Sequence, residues 1–254
     1  MPDARAYFPR GLAQPEGGYR FAVDSLLLAC FARVKRRARA ADLGCGCGVA
    51  GLGLLVRAPG AGMRLTGLDA DAAMVAAAQE NAVRLGLAGH FTAVRADVGR
   101  IREEGAPWAE SCDLAVCNPP YRELGRGRPS PKGDAMNAAR FESGAGLAGF
   151  IRAGGFVLKT GGALCLVGLA ERLPETLSLL GEARLAPKRL RLVHGRLDAP
   201  AKIVLVEAVK NAGPGLKAEA PLILYEKGQG NRITPEALAF CPFLACNTGR
   251  GLTA

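Results

Sequence analysis

No part of this chain offers an uninterrupted apolar run of membrane length, and residues Met1 to Gly11 carry Asp3, Arg5 and Arg10 without an apolar core. A leader or membrane helix is not expected, and a cytoplasmic setting is. Histidine is scarce: His90 and His194 are the only two, and neither stands beside a motif, so both read as ordinary surface or core positions. The eight cysteines do not form a disulfide framework in a chain this long. Cys45 and Cys47 are separated by one glycine, and Cys241 and Cys246 by four residues, neither being a zinc-site spacing, so no metal is expected. Cys30, Cys117 and Cys165 lie in apolar runs and should be buried as small hydrophobes. Repeats and low-complexity tracts are also missing.

What is present is a 254-residue chain with 33 Lys+Arg against 23 Asp+Glu, a net charge of +10. That length suits one α/β domain, and that sign favours a polyanionic partner.

The chemistry should sit where the apolar run Leu114 to Cys117 stops in Asn118-Pro119-Pro120-Tyr121. Four apolar residues bounded by breakers fit a strand inside a parallel sheet. Two prolines, each with φ near roughly −65° and no N–H, would hold Asn118 and the Pro119 carbonyl in a rigid turn. The Asn118 side-chain oxygen and that carbonyl are two acceptors, with the Tyr121 ring beside them. Two acceptors are what a planar amino nitrogen needs to localise its lone pair for attack on an electrophile. The same tetrapeptide is also an ordinary strand-to-loop turn, so its context matters.

In chain order, residues Gln14 to Phe21 form a Pro/Gly turn and an aromatic-basic docking segment, Tyr19-Arg20-Phe21. Asp24 stands in an N-cap-like place before an apolar helix expected to end near Val34, and Arg33, Lys35, Arg36, Arg37 and Arg39 form a basic cluster beyond it. A short strand then feeds Asp42-Leu43-Gly44-Cys45-Gly46-Cys47-Gly48 and a helix from about Val49 to Arg57. Glycines at this spacing let the backbone approach a ligand, and after an acid the pattern points to S-adenosylmethionine more than to a pyrophosphate. The next two strands end in Asp69, placed for ribose hydroxyls, and in Asp97, placed for an adenine amino group with the Val98 N–H beside it. Each acid also reads as a cap. The helix Ala72 to Leu85 reads as a sheet cover in which Asn81 has no assigned role. After Tyr121 comes a long basic loop with Arg122, Arg126, Arg128, Lys132 and Arg140, suited to gripping phosphates. Further strands near Ala163 to Leu169, Arg189 to Val193 and Ile203 to Val209 complete seven, the last two as an antiparallel pair at one edge.

Together the glycine turn, the three acids and Asn118-Pro119-Pro120-Tyr121 resemble class I S-adenosylmethionine-dependent methyltransferases acting on amino nitrogens. With Tyr19-Arg20-Phe21 and Asp24-Ser25-Leu26-Leu27-Leu28 in front, the chain looks like the bacterial valine-tRNA adenine-37 N6-methyltransferases. The resemblance implies a Rossmann-like α/β fold, a mostly parallel seven-stranded sheet with an antiparallel edge strand and helices on both faces. It implies S-adenosylmethionine as cofactor, tRNA as partner, and a monomer or homodimer. The chain is expected to divide into a capping segment at 1–39, a methyltransferase domain at 40–212 and an extension at 213–254 packed on that domain, the extension matching nothing in the family and having no assigned role. A glutamine N5-methyltransferase acting on release factors shares the corner, and a non-catalytic RNA-binding module would share the fold.

Overall fold

The computed structural model describes residues 4–15, 21–103, 107–120 and 145–247. Tyr19, Arg20, Tyr121, Arg122, Arg126, Arg128, Lys132 and Arg140 lie outside the described residues. A helix, α1 (Val23–Phe31), leads into strand β1 (Arg39–Leu43), helix α2 (Val49–Arg57), β2 (Arg64–Asp69), α3 (Ala72–Arg84), β3 (Phe91–Arg95) and β4 (Cys112–Cys117). Then follow α4 (Gly146–Val157), β5 (Leu158–Leu169), α5 (Leu173–Glu182), β6 (Leu185–His194), β7 (Ala201–Lys210), the short β8 (Lys217–Ala218) and β9 (Leu222–Ile223), and α6 (Pro235–Phe240).

The sheet runs β3-β2-β1-β4-β5-β7-β6-β8, with β9 also on β6. Among the described residues, seven long strands are thus joined by two of two residues. The expected hairpin at one edge is there: β7 pairs antiparallel with both β5 and β6, lying one place in from β6. Strand alternation sorts the core onto two faces. Ala40, Leu114 and Val116 join the cluster under α1, α2 and α3, whereas Ala41, Leu43, Ala115 and Cys117 join the cluster under α4 and α5.

Asp24 is not the N-cap of α1. Ala22 holds that place without a side-chain bond, and Asp24 is buried in the first turn of a helix that ends at Phe31. Eight of its nine residues are buried, because α1 is roofed by the tail. Cys241 Sγ donates to Leu26 O, the Phe8 and Phe243 rings meet edge-on at 4.8 Å, and Arg10 donates twice to Cys246 O. Arg5 fastens the other side of the N-terminal segment to Leu85 O and Gly86 O beyond α3. These contacts leave Cys241 and Leu244 0% and 1% exposed, while residues 213–218 of the same tail stay exposed.

Candidate active site

Order β3-β2-β1-β4 makes the chain reverse direction of travel at β1, which leaves a crevice at the carboxyl ends of β1 and β4. The turn filling one wall has Gly44, Gly46 and Gly48 at φ +68°, +54° and +90°. Their reasons differ. A Cβ on Gly44 would lie 2.7 Å from the Phe150 ring, so α4 forbids a side chain there, whereas a Cβ on Gly46 would meet nothing within 4 Å. Gly46 thus presents open backbone to the crevice.

The neighbouring acids hold this turn. Asp69 Oδ2 accepts from Gly46 N at 2.8 Å and Oδ1 from Asp71 N at 3.0 Å. Burial raises the Asp69 pKa, opposed by those backbone N–H groups. Asp42 lies deeper, 2% exposed, with Oδ2 accepting from Gly51 N at 2.8 Å. It therefore anchors α2 beneath the turn. Its pKa is pushed up to about 7, mainly by burial, with the nearby Asp69 charge adding. Cys45 bonds Leu68 O through its backbone N, while its side chain is buried and its thiol pKa raised well above the ordinary value by desolvation. It offers the crevice backbone only. Asp97 Oδ1 accepts from Gly99 N at 2.8 Å, capping the turn that begins with buried Val98.

Parallel register brings the motifs together: Leu43 pairs with Leu68 on one side and Cys117 on the other, so Asp69, Gly44 and Asn118 follow side by side. Asn118 is half-buried and its Nδ2 donates to Ser25 Oγ of α1 at 3.1 Å. That bond leaves the amide oxygen as the acceptor end. Pro119 is buried and Pro120 exposed, and both border a small hollow with Leu147, Leu169, Arg172 and Thr176. Arg172 there is oriented by a two-pronged pair with Glu175 at 2.7 Å. Phe21 is half-buried against the cluster around α1.

Two residues of this region were given no individual role from sequence. Ser25 is one. The other is Asn81, fully buried, whose Nδ2 donates to Cys47 O and Ala13 O while Oδ1 accepts from Ala13 N. Its signal was legible: Asn81 falls on the stripe Met74, Ala77, Ala78, Ala82 at helical spacing, a polar residue on a buried face.

The donor set fits an adenosyl cofactor with a charged methyl donor: open backbone at Gly46 and carboxylates at the ends of β2 and β3, all on one rim. Among the described residues no group of three His, Cys, Asp or Glu is placed to hold a metal ion, and no helix is long and apolar enough to cross a membrane.

No curated protein sequence matches this chain. Among solved structures, a predicted O-methyltransferase from Agrobacterium tumefaciens is similar at TM-score 0.70 and 24% identity, over 87% of this chain and 96% of that one. TrmN from Thermus thermophilus is similar at TM-score 0.50 and 19% identity, over 73% of this chain and 48% of that one. A geranyl diphosphate C-methyltransferase from Streptomyces coelicolor, solved with S-adenosyl-L-homocysteine, gives 0.50 at 14% identity, over 72% and 78%. At such identities the likeness is one of fold. Residues 22–181, more than half of the chain, match the methyltransferase small domain. The chain belongs to that family: it is a methyltransferase of Rossmann-like fold with S-adenosylmethionine as its cofactor.

Proposed function

We propose that this methyltransferase acts on N6 of an adenine in tRNA, with adenine-37 of a valine tRNA as the target. The observation that carries the reading is the Asn118 amide, fastened by its nitrogen to Ser25 and adjoining the glycine turn through the β1–β4 register. The resemblance of Tyr19-Arg20-Phe21, Asp24-Ser25 and Asn118-Pro119-Pro120-Tyr121 to the valine-tRNA enzymes supplies the substrate.

S-adenosylmethionine, when bound, supplies a methyl carbon on a cationic sulfur, and the C–S bonding pair returns to sulfur as N6 takes the carbon. The backbone of Gly44, Cys45, Gly46 and Gly48 would line its place, Asp69 would accept from the ribose, and Asp97 with the Val98 N–H would hold the adenine ring. Asp42 serves from below by holding the turn. Asn118 Oδ1 and the Pro119 carbonyl accept the two N6 hydrogens, Pro120 stiffens the bend and Tyr121 stacks on the extruded base. No strong base is required, since the methylated amine loses its proton to water; most of the acceleration comes from positioning. Tyr19, Arg20 and Phe21 cover the base, and Arg122, Arg126, Arg128, Lys132 and Arg140 grip tRNA phosphates.

Incubation with labelled cofactor and, separately, total tRNA and release factor tests the substrate. Label in adenine of tRNA is expected; label in release factor alone refutes the reading. Asn118→Ala should lower turnover by about 10²-fold or more with S-adenosylhomocysteine affinity unchanged, whereas Asp69→Ala should chiefly weaken that affinity.

A further inference from the structure

The amino ends of the same strands border a second opening, roughly 16 Å from the glycine turn along the five residues of β1. It is an open cleft of about 400 Å³ whose lining includes Arg39, Arg64, Thr66, His90, Trp108 and Ser111. Arg39 and Arg64 are direct partners in the parallel β1–β2 ladder. Like charges so placed, on strands about 4.8 Å apart, repel. Among the described residues neither guanidinium makes a hydrogen bond or ion pair. The nearby acid, Asp113, is already engaged: Oδ2 accepts from the Arg39 backbone N at 2.9 Å and Oδ1 pairs with Lys159 at 3.0 Å.

The rest of the lining suits a nucleoside. Trp108 is half-buried against the core under α4, and Ser111 Oγ donates to its backbone oxygen at 2.8 Å, which fixes the indole's segment at the rim. His90 bonds Met63 O through Nδ1, leaving Nε2 for a sugar hydroxyl or phosphate. Paired arginines are the usual fork for phosphate oxygens, and an indole face accepts any base. We infer that this cleft is a nucleotide-binding site, the Arg39–Arg64 pair holding the phosphate and Trp108 stacking on the base. It lies at the opposite end of the strands from the methyl-transfer crevice and stands whether or not adenine is the methyl acceptor.

Trp108 is the only tryptophan in the chain, so its fluorescence reports on this cleft alone. The full chain, held at saturating S-adenosylhomocysteine to fill the other crevice, is titrated with uridine 5′-monophosphate, uridine, inorganic phosphate and a short oligouridylate. Saturable quenching by the monophosphate, and weaker or no quenching by uridine, is expected. Arg39→Gln and Arg64→Gln should each weaken binding roughly tenfold, with Arg39→Lys milder. The free double variant should melt no lower than the parent, because a repulsion has been removed; a lower melting point refutes the unpaired state of the arginines. Tighter, salt-sensitive binding of the oligouridylate identifies an RNA strand as the source of the phosphate, and equal binding a free nucleotide. Absence of saturable quenching by both nucleotide probes, or quenching indifferent to Arg39→Gln, overturns the site.

Discussion

Asn81→Ala tests how the N-terminal segment is coupled to the glycine turn. The side chain is fully buried and makes three bonds, to Ala13 N at 2.6 Å, Ala13 O at 3.0 Å and Cys47 O at 2.9 Å. Truncation leaves the Cys47 carbonyl, on a residue 4% exposed, without its side-chain donor, at a cost of about 1–3 kcal/mol. Ala13 is half-buried, so water can replace its two bonds at about 0.5–1 kcal/mol each. Alanine's better helix propensity returns about 0.5 kcal/mol. The net loss is about 3 kcal/mol, a fall in Tm of roughly 6–12 °C for a chain of this size. Urea unfolding at constant m-value measures it. Proteolytic cleavage before residue 15 should accelerate, and S-adenosylhomocysteine affinity should drop because Cys47 belongs to the turn. A loss below about 1 kcal/mol with unchanged N-terminal protection would refute the coupling.

Asp42→Asn should flatten the pH dependence of stability. Burial raises Asp42 from an ordinary 3.8 to about 7, so its contribution is intact below pH 3.8 and is lost as pH climbs through 7. The amide can still accept from Gly51, and should be more stable than the carboxylate by up to roughly 4 kcal/mol above pH 7 but not near pH 4; parallel curves would contradict this. Arg189 Nη2 donates to Phe31 O and Glu207 Oε2 at 2.6 and 2.7 Å, and its guanidinium lies 3.8 Å from the Phe31 ring centre. Arg189→Leu should cost about 3–5 kcal/mol by stranding Glu207, and added Glu207→Leu should recover part of it; a double variant worse than the single would count against that account. Ser25→Ala should lower kcat roughly tenfold without changing the cofactor KM, by freeing the Asn118 amide to rotate. An altered KM at constant kcat would assign Ser25 to cofactor binding instead.

Local pattern carried much of the sheet. Four breaker-bounded apolar residues marked β4, the glycine spacing marked the β1–α2 turn, and acids closing β2 and β3 marked the rim, because each signal lies within a few consecutive residues. Asp24 misled for the same reason: a polar residue before an apolar run reads as a cap, and only the packing of tail and N-terminal segment over α1 makes it an interior residue.

By itself, then, the sequence determined the alternating strands and helices, the turn that bares its backbone, and the acceptor-rich bend after β4. Tertiary structure alone decided that Ser25 holds Asn118 across 93 residues, that Asn81 ties Ala13 across 68, and that Arg39 faces Arg64 at the amino ends of β1 and β2. Those partnerships depend on strand register and on which helix face is covered, quantities that no short window of residues contains.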